Sequence, residues 1–472
     1  MKTSRRACAV FIFLLGAAGA AGAGEPAPIR TVAHVHSAYS GRKAPDMRLT
    51  LEIARQRGIE AVIFTDDAIA DFEYGLWPLR RLIKAAVNRT SILRAGPSLY
   101  LEHIASLRKA FPKMIIIPGV EAAPYYYWSG SPFSSLTIND WNKHLSVAGL
   151  ERPEDYEDLP VLGNRRLDRF AFGSLWPLLL LAGAALLGKA RRRRSAAVAG
   201  AVGVLFLLNN FPFKTPAFSP YDPSAGWKPY EAVAAYADAK GFLCFWNHAE
   251  APNWKTPYRL GPRVFTRTAP YPGCLQAVPQ TDGFGALLEG DRSMTRPSGE
   301  WDQALRDYVQ GRRRKAPWGF GELDYVGEGA RGMTITSVSM DVHASSRNAA
   351  ALLEALKAGR FETVAPEKGL ALSLKTWRAQ SEGRSAGSGE TLTGAAHPAI
   401  RISMEPVGDS TMTVRVSLIR NGIVISHQTV TSPFSIAVPD DLGGEKRAFY
   451  RLDARWGANG ALLSNPIFVF ND

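Results

Sequence analysis

From Arg30 onward, short apolar runs alternate with stretches of helical periodicity, the pattern that parallel strands joined by helical crossovers produce. Runs at 31–36, 60–65, 113–120, 144–148, 242–246, 274–278 and 318–322 read as seven strands. Between them the spacing predicts helices over 46–57, 76–110, 230–240 and 300–310, with one more over 348–358. Such a repeat fits a barrel or an open doubly wound sheet, and polar residues gathered at the strand ends favour the barrel. After about Lys368 the helical period gives way to strict alternation, as in TMTVRVSLIRNGIVISHQTV. Asn421-Gly422 between two alternating runs predicts a hairpin, because that pair takes the positive φ angles of a type I′ turn. A second hairpin is expected to join 450–456 with 461–470, and the Ser- and Gly-rich segment 381–394 reads as a loop or linker. Residues 369–472 are therefore expected to form a small antiparallel β-sandwich whose role is packing.

Two apolar regions break this pattern. The start, MKTSRRACAVFIFLLGAAGAAGAGEPAP, has a basic end, an apolar stretch and an A-x-A site at Ala21 and Ala23, so residues 1–24 read as a secretory signal peptide. If it stayed uncleaved as an anchor, the rest of the chain would still lie outside the cytoplasm. The second region runs FAFGSLWPLLLLAGAALLG over 170–188, then KARRRR, then SAAVAGAVGVLFLLNNFPF over 195–213. Each arm approaches the ~20 residues of a spanning helix. A soluble core does not tolerate the run Lys189 to Arg194 at such a turn, so 170–213 is expected to be a transmembrane hairpin with a basic cytoplasmic turn. Both flanks then lie on the same outer side, and the barrel assembles from two parts, 29–169 and 214–368.

A length of 472 residues suits two folded units plus a membrane segment. The net charge of +13 is concentrated at Lys2, Arg5 and Arg6, at Lys189 to Arg194, and at Arg312 to Lys315. Two of those clusters flank apolar segments, which matches membrane topology and argues against nucleic-acid binding. The three cysteines, Cys8, Cys244 and Cys274, form neither a disulfide framework nor a zinc-finger spacing. Cys244 and Cys274 could pair in an oxidising compartment, although buried thiols are the plainer expectation.

The candidate chemistry sits at strand boundaries. HVHS puts His34 and His36 on one face of the first strand, since alternate side chains point the same way. Asp66 and Asp67 end the second strand and Glu121 the third. His144 opens the fourth, His248 follows the fifth and Asp324 closes the seventh. If the sheet closes, all of them converge on one mouth. Four of the eight histidines fall at these positions, leaving His103, His343, His397 and His427 elsewhere. Imidazole nitrogen with carboxylate oxygen suits Zn²⁺, Mn²⁺ or Fe²⁺ better than Mg²⁺ or Ca²⁺.

The order HVHS, GIEAVIFTD, PGVE, a lone His, NHA, GELD and SSRNAAALLEALKAGRF resembles the PHP (polymerase and histidinol phosphatase) metal-dependent hydrolases from about Arg30 to Val364. That resemblance implies a distorted seven-stranded (β/α) barrel with up to three metals at the strand ends, and in many members hydrolysis of phosphate esters. A branch resembling carbamate and amide hydrolases adds a C-terminal β-domain, as here. By the resemblance, His34, His36, Glu121 and Asp324 hold a first metal, and Glu121, His144 and His248 a second. The chain departs from the family where S-D-G, T-D-H and D-x-H are usual: it has Ser40-Gly41, Thr65-Asp66-Asp67 and Asp324-Tyr325-Val326. The departures imply two divalent transition-metal ions, the third being lost or weakly held through Asp67.

The expectation is an extracytoplasmic, membrane-anchored hydrolase, most of all a phosphoesterase, whose two metals share Glu121 and activate a bridging water. Asp67 or Asp66 would move the proton. Arg42, Lys43 and the turn near Arg312 are candidates to attract an anionic small-molecule substrate. Tyr125 to Trp128 would wall an apolar pocket or pack against the membrane. The alternatives are a carbamate, amide or ester hydrolase of the same fold, and a catalytically silent binding module. The hairpin carries no charge within its arms, so it is an anchor rather than a transport path. His343 is expected to be a surface or core residue.

Overall fold

The computed structural model describes residues 27–41, 44–251, 257–287 and 293–471. The segment read as a signal peptide, and Arg42 and Lys43, lie outside those residues. Seven strands stand side by side in chain order: β1 Ile29–Val35, β2 Ala61–Asp67, β3 Ile115–Ala122, β4 Leu145–Ala148, β5 Leu243–Trp246, β6 Gly283–Ala286 and β7 Trp318–Tyr325. β7 pairs back onto β1 through Ala33 and Glu322, which closes a barrel in a mixed α/β chain. All neighbours are parallel except β4, which runs antiparallel to both β3 and β5. The C-terminal ends of six strands and the N-terminal start of β4 therefore meet at one mouth.

The barrel strands are buried on both faces, so β2 reads AVIFTDD with every residue inside. Its helices follow amphipathic logic. α1, Met47–Gln56, is capped by Asp46, whose side chain accepts from Arg48 N–H, and buries Met47, Leu51 and Ala54 one turn apart. The run expected to be helical over 76–110 divides. Only α2, Pro97–Ala110, and a short turn at Ile92–Ala95 are helical, while Asp71–Gly75 and Lys84–Asn88 pair as a two-stranded ribbon. Pro78 cannot continue a helix, and Pro97 starts one where its missing N–H is harmless.

The expected strand at 274–278 is a correction: Cys274–Ala277 is a short helix, and the sixth strand is β6, GFGA. Apolar periodicity misses it because half of it is glycine. Glycine is required there, since a Cβ on Gly285 would meet the Glu322 carboxylate at 1.8 Å. Cys244 and Cys274 are free, buried thiols.

Past the barrel, Ser339–Val342 pairs antiparallel with β1 and Phe361–Ala365 pairs with it in turn. Gly460–Ser464 then continues the same sheet into the C-terminal region. There the extended sheet faces a second one built from Leu372–Ser381, Arg384–Ala386, Ala399–Pro406 and Phe434–Pro439. Trp377, Ile402, Met404, Val416 and Leu452 fill the space between them. The predicted hairpin joins Thr413–Arg420 to Ile423–Thr431, with Asn421 at φ 49° and Gly422 at φ 85°. The segment expected as a loop holds two short strands, Arg384–Ala386 and Thr391–Thr393. Arg451 and Asp302, both fully buried, join this region to the barrel through contacts of 2.6 and 2.7 Å.

Between β4 and β5 the chain leaves the barrel as two packed helices, α3 Pro177–Lys189 and α4 Arg193–Asn209. Gly203 lets them approach closely, with Leu180 and Leu181 against it, and Trp176 lies 5.2 Å from Phe206. Their outer sides expose Leu179, Leu186, Val198 and Leu208. Among the described residues, one helical stretch, Phe172–Lys189, is long and apolar enough to cross a membrane. α4 has 17 residues, begins with two arginines and ends at Asn209, short of the arm expected to reach 213.

Candidate metal centre

At the mouth β1 bulges. Its register on β2 and β7 shifts between Ala33 and Val35, with His34 at φ 62°. His248 and Asp324 also have positive φ, 29° and 44°. Left-handed backbone at non-glycine residues costs about 1–3 kcal/mol each and persists where the surroundings demand it. Here it turns three side chains inward.

Glu121 is the hub. One carboxylate oxygen lies 3.0 Å from His34 Nε2, 2.7 Å from His144 Nδ1 and 3.2 Å from His248 Nε2; the other is 3.4 Å from His36 Nε2. Asp324 Oδ1 is 3.1 Å from His36 Nε2 and 3.8 Å from His34 Nε2, and its other oxygen meets Arg331. The ligand atoms form buried groups able to hold a metal ion: His34, His36 and Glu121; Glu121, His144 and His248; and His34, His248 and Glu322.

The surrounding bonds set the tautomers. His34 Nδ1 faces Glu322 Oε1 at 2.7 Å, so it carries the proton, and Glu322 Oε2 also accepts from His248 N–H at 2.7 Å. Ser40 Oγ donates to Asp66 Oδ1 at 2.6 Å, so at 2.8 Å it accepts from His36 Nδ1. Both histidines thus present Nε2 lone pairs inward, 3.1 Å apart and beside two carboxylates. Lone pairs and carboxylate oxygens so placed repel one another unless a cation lies between them. Without a metal, a proton serves: burial opposes charge on His34, but Glu121, Glu322 and Asp324 together raise its pKa well above the usual imidazole value. Burial pushes Glu121 up, yet His144 and His34 hold its carboxyl well below the usual range. His144 Nε2 is buried with no hydrogen-bond partner among the described residues, as a nitrogen awaiting a ligand would be.

The residues predicted as metal ligands or proton carriers lie at this mouth, though not all in the same role. His34, His36, Glu121, His144 and His248 converge, with Asp324 beside them. Asp66 instead binds Ser37 N–H, Ser37 Oγ and Ser40 Oγ, and burial raises its pKa. Asp67 is buried next to Ser40, its backbone N–H donating to Ser40 Oγ at 3.1 Å, and belongs to none of the three ligand groups. The basic turn near Arg312 lies at the opposite end of the barrel, before β7 begins. Its side chains pair with Asp307, Asp238, Asp282 and the carbonyls of Leu275 and Thr281, away from the mouth. Tyr126 packs with Phe72 and Trp141, and Trp141 is edge-on to His144 at 5.9 Å.

Glu322, Ser40, Asn247 and Arg331 were missed by the sequence reading. Glu322 had a signal, since GELD places it two residues before Asp324 on the same face. Asn247, whose side chain donates to Glu121 at 3.0 Å, stood next to His248 in WNH. Arg331 reaches the site from a glycine-rich loop, and nothing local announces it.

No family model matches this chain, and no curated protein matches it. Among solved structures it is similar to an engineered protein, Northeast Structural Genomics Consortium Target OR128, at 12% identity over 59% of this chain and 71% of that one. The TM-score is 0.14, so this likeness carries no argument.

Proposed function

We propose that this chain is a metal-dependent phosphoesterase of PHP type, held by the α3–α4 hairpin at a membrane with its barrel outside the cytoplasm. The observation that carries the reading is the buried hub of Glu121, with an imidazole pair on either side. In it, His34, His36, Glu121 and Asp324 hold one divalent ion, and Glu121, His144 and His248 the other. The nitrogen-rich donor set favours Zn, Mn or Fe. Such ions supply positive charge for a developing oxyanion and lower the pKa of water.

The chain's own residues supply the rest. Glu322 and Ser40 fix the tautomers of His34 and His36, so the nitrogens face inward before any ion arrives. Asp66 is committed to Ser37 and Ser40, so Asp67 is the acid of the pair assigned to proton movement. Arg331 supports a phosphoester over a neutral ester. Its half-exposed guanidinium meets Asp324 at the edge of the site and offers a fixed positive charge with the fork geometry that phosphoryl oxygens match. A carbamate or ester hydrolase remains the second reading, favoured by the aromatic residues Phe72 and Trp141 behind His144. Exposed apolar sides on both helices and the arginine-rich turn between them support the anchor.

The test is elemental analysis of full-length protein purified from membranes without chelator, followed by phosphoester, ester and carbamate assays. About two transition-metal ions per chain with phosphoester turnover supports the proposal. Folded protein that binds no metal and hydrolyses none of these sinks it in favour of the silent binding module.

A further inference from the structure

The ribbon between β2 and α2 runs from the metal centre to the helical hairpin. At one end Phe72 packs on Trp141 at 4.3 Å, and Trp141 packs on His144. At the other end the ribbon tip grips the base of the hairpin. Asn209 Oδ1 accepts from Arg81 N–H at 3.0 Å, Asn209 Nδ2 donates to Pro78 O at 3.2 Å, and the Arg81 guanidinium donates to Phe211 O at 2.7 Å. The strand between, Asp71–Gly75, spans ~17 Å at about 3.4 Å per residue. The chain flanking the hairpin on either side also joins the mouth side of the barrel: Leu162 N–H donates to Pro124 O, just past β3, and Trp128 N–H donates to Pro220 O.

The tip exposes what a folded surface in water normally hides. Leu76, Trp77, Leu82 and Ile83 are exposed, Trp77 by 73%. Beside them, at the hairpin base, Phe170, Phe172 and Phe213 are exposed too, continuous with the outer sides of α3 and α4. Basic residues edge this patch. Arg80 stacks over Tyr221 at 3.8 Å and Lys214 lies over Phe211 at 5.8 Å, with Arg81 between the tip and the base. Aromatic residues ringed by Arg and Lys, adjoining an apolar helix, have the composition of a surface seated at the bilayer interface.

We infer that the tip at 76–83 and the hairpin base form one membrane-seated surface that turns the metal-centre mouth toward the bilayer, so that the phosphoester is carried by an anionic membrane amphiphile. The inference rests on the phosphoesterase reading for the reaction but not for the seating. The basic edge selects an anionic headgroup, the bilayer keeps the apolar chains, and a mouth on the order of 20 Å from the hairpin base faces that headgroup layer.

The test uses full-length, metal-loaded protein in phosphatidylcholine vesicles containing phosphatidic acid. In a Cys8→Ser background, nitroxide labels are placed at Trp77→Cys and, as a control on the exposed sandwich turn, at Asn459→Cys. The label at 77 is expected to be reached by oxygen and shielded from an aqueous relaxant, and the one at 459 the reverse. The double variant Trp77→Asp with Ile83→Asp is expected to lose at least tenfold in turnover of vesicle phosphatidic acid while keeping its turnover of soluble p-nitrophenyl phosphate. That soluble activity also shows that the variant is folded. A label at 77 as water-exposed as that at 459, or equal losses on both esters, overturns the inference. A shielded label with neither ester hydrolysed by the parent protein overturns the phosphoesterase reading and the substrate assignment with it, leaving the seating in place.

Discussion

The barrel mouth and the junction between barrel and sandwich each bury a glutamate against histidine, and they differ in what converges. At the junction His343 Nε2 meets Glu362 Oε2 at 2.8 Å, one ring to one carboxylate, beside a cavity of about 270 Å³ that Arg360, Trp377 and Arg378 also line. Burial would lower the His343 pKa, but Glu362, with Asp341 behind it, raises it, so this pair neutralises itself with a proton. At the mouth four imidazoles surround Glu121, with Asp324 as a second carboxylate. There Glu322 and Ser40 hold two of the rings with their Nε2 atoms facing each other beside two carboxylates, a donor set that a divalent ion can span and a single ion pair does not offer. Convergence of oriented lone pairs, rather than residue type, separates a group able to hold a metal ion from an ordinary buried ion pair.

The sharpest way to break the comparison is Glu121→Gln. Losing the shared ligand is expected to strip both ions and lower hydrolysis on the order of 10³-fold or more, read by elemental analysis and initial rates. At the junction the large effect belongs to another pair. Asp302→Ala leaves Arg451 buried without its carboxylate, and denaturant unfolding should show a loss of about 3–5 kcal/mol with metal content unchanged. Glu322→Gln is expected to weaken metal affinity about 10- to 100-fold, measured by competition with a chelator, since it loosens the His34 ring while leaving the ligands proposed for both ions in place. The smallest effect is His343→Gln, which should leave metal content and activity untouched. Because the His343 pKa is raised above its ordinary 6.5, its contribution to stability is complete below about pH 6.5 and fades as pH rises through the raised value. Thermal unfolding across pH should therefore show wild type and variant converging at alkaline pH. A gap that widened instead would mean that the pair carries no proton.

The parts of the fold legible in the sequence are those whose cause is local. Six of the seven barrel strands announce themselves as buried apolar runs, and Asn421-Gly422 forces its hairpin. β6 escapes because its glycines answer to Glu322 on the neighbouring strand, a demand that no periodicity records. The ribbon at 71–88 escapes for a similar reason: it is held by packing against Trp141 and the hairpin base. At the site, the histidines and Glu121 were visible as polar residues ending apolar strands. The bulge at His34 was not, although it turns that ring toward Glu121.

By itself, the sequence determined which residue types stand at each strand end, where the chain turns, and which two arms are apolar. These follow from side-chain chemistry and from neighbours a few positions apart. Closure of the barrel, the reversal of β4, the pairing of His34 with Glu322 across 288 residues and the reach of Arg331 to Asp324 were decided by the tertiary structure alone. Each depends on where distant segments are carried by the packing of everything between them, and a linear pattern holds no term for that distance.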